Sequence, residues 1–270
     1  KRFNLSMEVL KEIGLSREDY VMAIRFTEDF YKTNKEFVVS LVKMINKPAL
    51  VEIWNERFFY FTLKWEFNFI DNLGKASALS TDQIDVENGK RYDIKFTDEN
   101  GIEKHPIILH NSPSGAVERN IYALLEREYA NQQKNETPSL PLWLSPTQVR
   151  LVPLSSKFIS HTEDMAAKLE VRNIRVDIDD RGETVQKRIR EAEREWIRYT
   201  IVLGEKELKS GVLQVRDREK GKLREMTLRE IIDEIRSDLL THGHAVVYKN
   251  IQNTDGIKIL DMEQGIIYSD

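Results

Sequence analysis

At 270 residues, with 40% hydrophobic and 32% charged side chains, the chain has enough apolar material for two separately cored domains. No apolar run approaches the roughly 18 residues that a membrane-spanning helix needs, and the lack of cysteine excludes disulfides and all-thiolate metal sites within these residues. A net charge of −4 gives no global attraction for nucleic acid, so any such binding has to come from local basic stripes. These features favour a cytoplasmic protein, with no membrane partner. The chain opens on Lys1-Arg-Phe-Asn and not on methionine, so a start upstream of Lys1, and a targeting segment with it, stays open.

In chain order, residues 4–13 carry a helical pattern with Asn4 or Ser6 as cap and Gly14 as stop. Residues 20–26 alternate as a strand, and residues 32–45 place Phe37, Leu41, Met44 and Ile45 on one helical face before Lys47-Pro48 ends it. The next stretch alternates Phe59, Phe61, Leu63, Trp65, Phe67 and Phe69 with Tyr60, Thr62, Lys64, Glu66 and Asn68, which predicts a long strand with one apolar face. Residues 79–86 repeat the pattern with Thr81, Gln83, Asp85 and Glu87 on one side, and residues 91–96 read as a third strand. Turn signals at Asn72-Leu-Gly, Asn88-Gly and Glu99-Asn-Gly separate these strands by short loops. Short loops suit antiparallel pairing and not βαβ crossovers. The first half is therefore an α+β antiparallel sheet with helices. Its polar faces fit ordinary solvated surface. They also fit a site, because lysine, threonine, glutamine and carboxylates on adjacent strands suit an amino acid's charged ends and a nucleotide's phosphates.

Residues 107–126 read as a buried strand at Ile107 to Leu109, a turn at Pro113-Ser114-Gly115 and a helix with Val117, Ile121, Leu124 and Leu125 at core spacing. His110, Glu118 and Arg119 fall where one element ends and the next begins, a usual place for working side chains. On geometry alone the ordinary reading, a plain strand end and an exposed helix pair, comes first. The polar, proline-bearing run 131–141 reads as a linker, dividing the chain into domains over 1–135 and 136–240 and an extension over 241–270. Beyond it, strands at 148–154, 175–178, 199–203 and 212–216 interleave with helices near 161–172, 183–196 and 227–240. That order predicts an α/β domain with a mainly parallel or mixed sheet. In the middle helix Val185, Ile189, Ala192 and Trp196 form the expected buried stripe, while Lys187, Arg190 and Arg194 line another face. That basic stripe could meet phosphates, or its interleaved glutamates could satisfy it. His242 and His244 form an H-x-H with no third ligand nearby. There is no internal repeat, no G-x-x-x-x-G-K-S loop and no G-x-S-x-G elbow.

Together, Lys64-Trp-Glu-Phe-Asn-Phe, Ser80-Thr-Asp-Gln-Ile-Asp and His110-Asn-Ser-Pro-Ser-Gly-Ala-Val-Glu-Arg119 resemble the later part of the catalytic domain of the threonyl-tRNA synthetases, archaeal type. Gly-Ala-Val-Glu-Arg is similar to motif 3 of the class II synthetases. Leu142-Trp-Leu-Ser-Pro-Thr-Gln-Val-Arg150, residues 179–191 and Gly204-Glu-Lys-Glu207 resemble that family's anticodon-binding domain, so the likeness covers residues 20–240. The resemblance implies ATP-dependent activation of threonine, with Mg2+, and transfer of threonyl to the 3′ end of tRNA(Thr). By the same resemblance Arg119 contacts ATP, its guanidinium being planar and permanently charged. Lys64 lies near the substrates' reacting ends, and Thr81 and Gln83 near the threonine, with Gln83 also near the ATP. His110 matches one of three zinc ligands; in the family the zinc holds the threonine amino group and hydroxyl, and so rejects valine. Glu207 and Arg216 match residues that read anticodon bases. The chain departs from the bacterial pattern at Gly182, where that pattern has asparagine, and at Trp196, where it has arginine.

Motifs 1 and 2 and the other two zinc ligands are expected before Lys1, and no editing domain is expected within these residues. The polypeptide as given is therefore not expected to activate threonine by itself. It reads as the C-terminal portion of a synthetase that is a homodimer at full length; the alternative is a non-catalytic tRNA-binding or accessory paralogue. Lys64, Thr81, Gln83, His110 and Arg119 occurring together favour the enzyme.

Overall fold

The computed structural model describes residues 1–242 and three short strands beyond them, Val246–Val247, Lys258–Ile259 and Ile267–Tyr268. His244, half of the H-x-H pair, lies outside the described residues. The chain forms two compact units, Lys1–Ala130 and Asn131–Asp270. Among the described residues no helix is long and apolar enough to cross a membrane.

The first unit is built on one sheet. Helix α1 (Arg2–Glu12) buries Phe3, Ser6 and Leu10 at helical spacing and ends at Gly14, whose φ is 100°. It begins before the expected Asn4 or Ser6 cap, because Phe3 is already helical and reaches Trp65 and Phe67 at 4.9 and 5.1 Å. Strand β1 (Tyr20–Thr27) runs into α2 (Glu28–Ile45), where the Thr27 hydroxyl accepts from the Phe30 N–H at 3.2 Å as N-cap. Helix α2 buries Val38, Leu41 and Ile45, whereas Phe37, expected on that face, stays 42% exposed. It leads to β2 (Ala49–Trp54), parallel to β1. A βαβ crossover, which the short loops further on argued against, therefore begins the sheet.

Strands β3 (Phe61–Ile70) and β4 (Ala76–Asp85) form the expected hairpin, turned by Asp71, which accepts from the N–H groups of Leu73 and Lys75, and by Gly74 at φ 77°. The strand expected over 91–96 is not there. The Asp85 carboxylate accepts from the N–H groups of Glu87 and Asn88, both at 2.9 Å, and starts the helical turn α3 (Asn88–Arg91). A small hairpin, β5 (Phe96–Thr97) and β6 (Glu103–Lys104), follows around Gly101. Then come β7 (Ile108–Ser112) and α4 (Val117–Gln133), which takes in the start of the expected linker. The sheet order is β2-β1-β3-β4-β7, antiparallel except at β1–β2. One face carries Met22, Ile24, Phe26, Leu63, Trp65 and Phe67, each contributing roughly 1.5–3 kcal/mol by burial.

Two expectations for residues 107–126 are corrected. Ile107 and Leu109 are 63% and 50% exposed, because among the described residues β7 is the edge strand, paired with β4 on one side. On α4 the buried residues are Asn120, Ala123, Leu124 and Glu128, and Val117, Ile121 and Leu125 stay exposed. Polar anchors set this rotation: Tyr122 donates to Asp71, Asn72 donates to Glu126, and Arg127 to the Gly14 carbonyl.

The second unit contains β8 (Val149–Pro153), α5 (Ile159–Glu170), β9 (Val176–Ile178), α6 (Val185–Arg194), β10 (Tyr199–Leu203), α7 (Glu205–Ser210), β11 (Val212–Asp217), β12 (Lys222–Thr227) and α8 (Leu228–His242). In the order β12-β11-β10-β8-β9, the β9, β8 and β10 strands are parallel and β11 and β12 antiparallel, a mixed sheet. Leu151, Tyr199, Ile201 and Val215 join Leu169 of α5 and Ile231 and Ile235 of α8 in one core. Helix α6 covers part of the other face, with Thr184 as its N-cap. Its buried residues are Arg188, which donates to the Asp179 carbonyl at 2.6 Å, and Ala192. Trp196 lies past the helix end and outside the buried stripe expected for it.

Candidate functional site

The strand pairing places four sequence-predicted residues on one face of the first sheet. Glu52, Arg25, Lys64, Gln83 and His110 are successive cross-strand partners, forming a single row across β2, β1, β3, β4 and β7. The neighbouring row holds Glu66, Thr81 and Ser112. Opposed side chains on one face stand about 5 Å apart, so these groups can act on one small ligand. The face is closed by internal pairs: Arg25 binds Glu52 at 2.8 Å and Glu66 at 2.6 Å, and Lys64 binds Glu66 at 2.7 Å. Tyr60 donates to the Gln83 oxygen at 2.5 Å, which turns the Gln83 amide hydrogens away from it. Thr81 donates to the Trp65 carbonyl at 3.3 Å.

His110 is held from the side. Its Nε2 lies 2.8 Å from Asp85, whose side chain is fully buried, and the imidazole itself remains 45% exposed. Burial alone would push the Asp85 carboxyl up; hydrogen bonds from the Asn88 N–H, His110, the Glu87 N–H and the Asn88 side chain outweigh it and hold the carboxyl at about 2. A carboxylate on one ring nitrogen is the arrangement that orients a metal-ligating histidine, and with its ring half-exposed His110 suits one ligand position of a zinc ion. Among the described residues no group of three His, Cys, Asp or Glu could hold a metal. Arg119 stands apart from the rows, in the first turn of α4, with its guanidinium donating to the Ala78 carbonyl at 3.0 Å. Gly115 makes that junction possible: at φ 71° it sits where a Cβ would overlap the Leu79 carbonyl.

The second unit carries a cleft of about 740 Å³ on the α6 side of its sheet, lined by Arg190, Arg194, Trp196, Thr200, Arg216, Arg218 and Lys222 together with Gln132, Thr137 and Pro138. Among the described residues Arg190, Arg194, Arg216 and Lys222 have no carboxylate partner. Two carboxylates are in the lining: Asp217 is buried and taken by Arg224 at 2.7 Å, and Glu193 is exposed. The predicted basic stripe is thus divided, because Lys187 pairs with Glu183 at 2.7 Å and only the two arginines reach the cleft. Arg216 is in the cleft. Glu207 is not: it lies half-buried in the first turn of α7, accepting from the Gly204 N–H at 3.1 Å. Gly182 is in an exposed bend with open space around it. Sequence reasoning passed over Arg25, Arg218 and Lys222. The alternation of residues 20–26 could have placed Arg25 on the polar face; nothing in the sequence joins Arg218 and Lys222 to α6.

A family model described as an anticodon binding domain matches residues 148–238. The solved RNA-binding domain of threonyl-tRNA synthetase from Cryptosporidium parvum shares the fold, with a TM-score of 0.67 at 21% identity over 88% of this chain and 61% of that one. A mostly antiparallel-sheet unit followed by an α/β unit matched to an anticodon binding domain is the build of an aminoacyl-tRNA synthetase, and relatives of much higher identity give the same class. Threonine-tRNA ligases of Nitrosopumilus maritimus and Pyrococcus horikoshii are 60% and 58% identical to it, over 87% of this chain and 38% of each relative. The chain belongs to the threonyl-tRNA synthetase family, and it spans 38% of the length of these relatives.

Proposed function

We propose that this chain is the portion of a threonine-tRNA ligase that supplies the floor of the aminoacylation site from its first unit and reads the tRNA(Thr) anticodon with its second. The observation that carries this reading is the cleft of unpaired cations, Arg190, Arg194, Arg216 and Lys222, within the residues matched to an anticodon-binding domain. Such a cleft suits the phosphates of a single-stranded loop. Arg216 reads base edges there, and Glu207, if released from its helix cap, accepts from base amino groups.

In the ligase a threonine carboxylate oxygen attacks the α-phosphorus of ATP, the bond to pyrophosphate breaks, and a 3′ hydroxyl of tRNA then attacks the threonyl carbonyl carbon with AMP leaving. Lys64, fixed by Glu66, offers positive charge to the reacting carboxylate and phosphate; Arg119 steadies the ATP, which arrives with Mg2+; and Thr81 and the Gln83 amide orient threonine. Zinc, held by His110 and two ligands outside this chain, would supply bonds to the threonine amino group and hydroxyl that valine cannot complete. The remaining class II motifs come from the rest of a cytoplasmic, homodimeric protein.

Fluorescence anisotropy with anticodon stem-loops tests the second half of this reading. The chain is expected to prefer stem-loops with threonine anticodons, with affinity falling as salt rises. Equal binding to every stem-loop would argue against anticodon reading.

A further inference from the structure

We propose that Trp196 is a stacking platform for one unpaired base of the anticodon loop, a role that rests on the anticodon reading above and adds to it the mode of contact. Helix α6 ends at Arg194 with Glu195 as C-cap, and Trp196 follows with φ 59°. The Ile197 N–H returns to the Ala192 carbonyl at 3.0 Å and the Trp196 N–H to Glu193 at 3.3 Å, so Trp196 occupies the helix-terminating position that glycine ordinarily fills. A bulky residue in the left-handed region strains the backbone, and such strain persists where the surrounding structure holds it for a purpose.

Core packing does not supply that purpose. The apolar anchor of this helix end is Ile197, 6% exposed, whereas Trp196 is half-buried and lines the cleft. The indole instead meets Arg218, whose guanidinium carbon is 6.0 Å from the ring centroid. Arg218 is itself fixed, donating to the Pro138 carbonyl at 2.7 Å and the Glu193 carbonyl at 2.6 Å. Trp196 is the aromatic residue among the cleft's lining, which it shares with Arg190, Arg194, Arg216 and Lys222 and with one exposed carboxylate, Glu193. A flat ring among unpaired cations is the combination that binds single-stranded nucleic acid: the charges hold the backbone and the ring takes a base face. A duplex would not use it, since its bases are already stacked on one another. The ligand class is therefore an unpaired nucleobase held by its face.

The test uses the 270-residue chain and a threonine anticodon stem-loop. Trp196→Gly suits the left-handed backbone, so its melting temperature is expected to hold or rise while affinity falls about tenfold, within the roughly 5- to 150-fold that loss of one base stack brings. Trp196→Phe is expected to keep affinity within about threefold and to lose the RNA-induced quenching of tryptophan emission. Abasic substitutions along the loop then locate the base: at the stacked position the Trp196→Gly penalty disappears, since the partner is already missing. Wild-type affinity in Trp196→Gly, or a penalty unchanged at every abasic position, overturns the proposal. If wild-type chain binds all stem-loops alike, anticodon reading fails, and the abasic coupling still decides whether Trp196 stacks on a base.

Discussion

Each unit lays one row of side chains straight across its five-stranded sheet, and the rows differ in how their charges are satisfied. In the first the row is Glu52, Arg25, Lys64, Gln83 and His110; in the second it is Asp177, Arg150, Thr200, Arg216 and Leu223. Every polar member of the first has a partner inside the fold. In the second only the end is closed, where Arg150 binds Asp177 and Glu195, both at 2.7 Å. Arg216 faces the cleft with no partner among the described residues. A paired row holds its side chains in fixed directions, which suits orientation of a small substrate without reorganisation. An unpaired cluster keeps its mutual repulsion until a polyanion relieves it, which suits salt-dependent RNA binding.

The largest expected effect strikes the first row through its backbone. Gly115→Ala combines a strained left-handed φ with a Cβ overlapping the Leu79 carbonyl, where β4 passes the start of α4, and is expected to cost roughly 2–4 kcal/mol in denaturant unfolding. An unchanged midpoint would mean that the close approach is absent. Next comes acid sensitivity. The Asp85 carboxyl is held at about 2 against an ordinary value of 3.8; a depressed carboxyl stabilises fully above its unfolded value and loses that stabilisation as pH falls through its folded one. Asp85→Asn should therefore remove up to about 2 kcal/mol near neutrality, a deficit that narrows as pH drops from about 5 to 2. A deficit constant with pH would place the acid sensitivity elsewhere. The smallest effect sharpens the contrast from the other side. Arg216→Ala should leave stability unchanged, weaken binding of the threonine anticodon stem-loop about tenfold and reduce the preference for that anticodon, whereas Lys222→Ala should lower the slope of log affinity against log salt by about one. Lys187→Ala, whose charge Glu183 already meets, should leave that slope alone.

What was legible in the sequence follows the same division. Period-2 alternation placed Lys64, Thr81 and Gln83 on one face, because alternation fixes the face whatever the partner strand is. It could not show Glu52 closing the row, since β2 has no alternating burial to betray it: Leu50, Val51 and Ile53 are all exposed. The strand expected over 91–96 gave way to a turn started by a distant carboxylate, Asp85, and the apolar stripe of α4 to polar anchors at Asp71, Asn72 and Gly14. Such contacts leave no periodic trace. Trp196 continued a helical spacing that the helix itself does not reach. The cleft gathers residues from α6, β11 and β12 that only the sheet order brings together.

The central claim is that the unpaired cleft, and not the paired row, receives the anticodon. Photocrosslinking of a stem-loop carrying 4-thiouridine in its anticodon, followed by mass spectrometry of the labelled peptides, tests it most directly. Label on the peptides containing Arg190 to Trp196 and Arg216 to Lys222 is the predicted result. Label on β3, β4 or β7 of the first unit, with those peptides bare, would contradict the account.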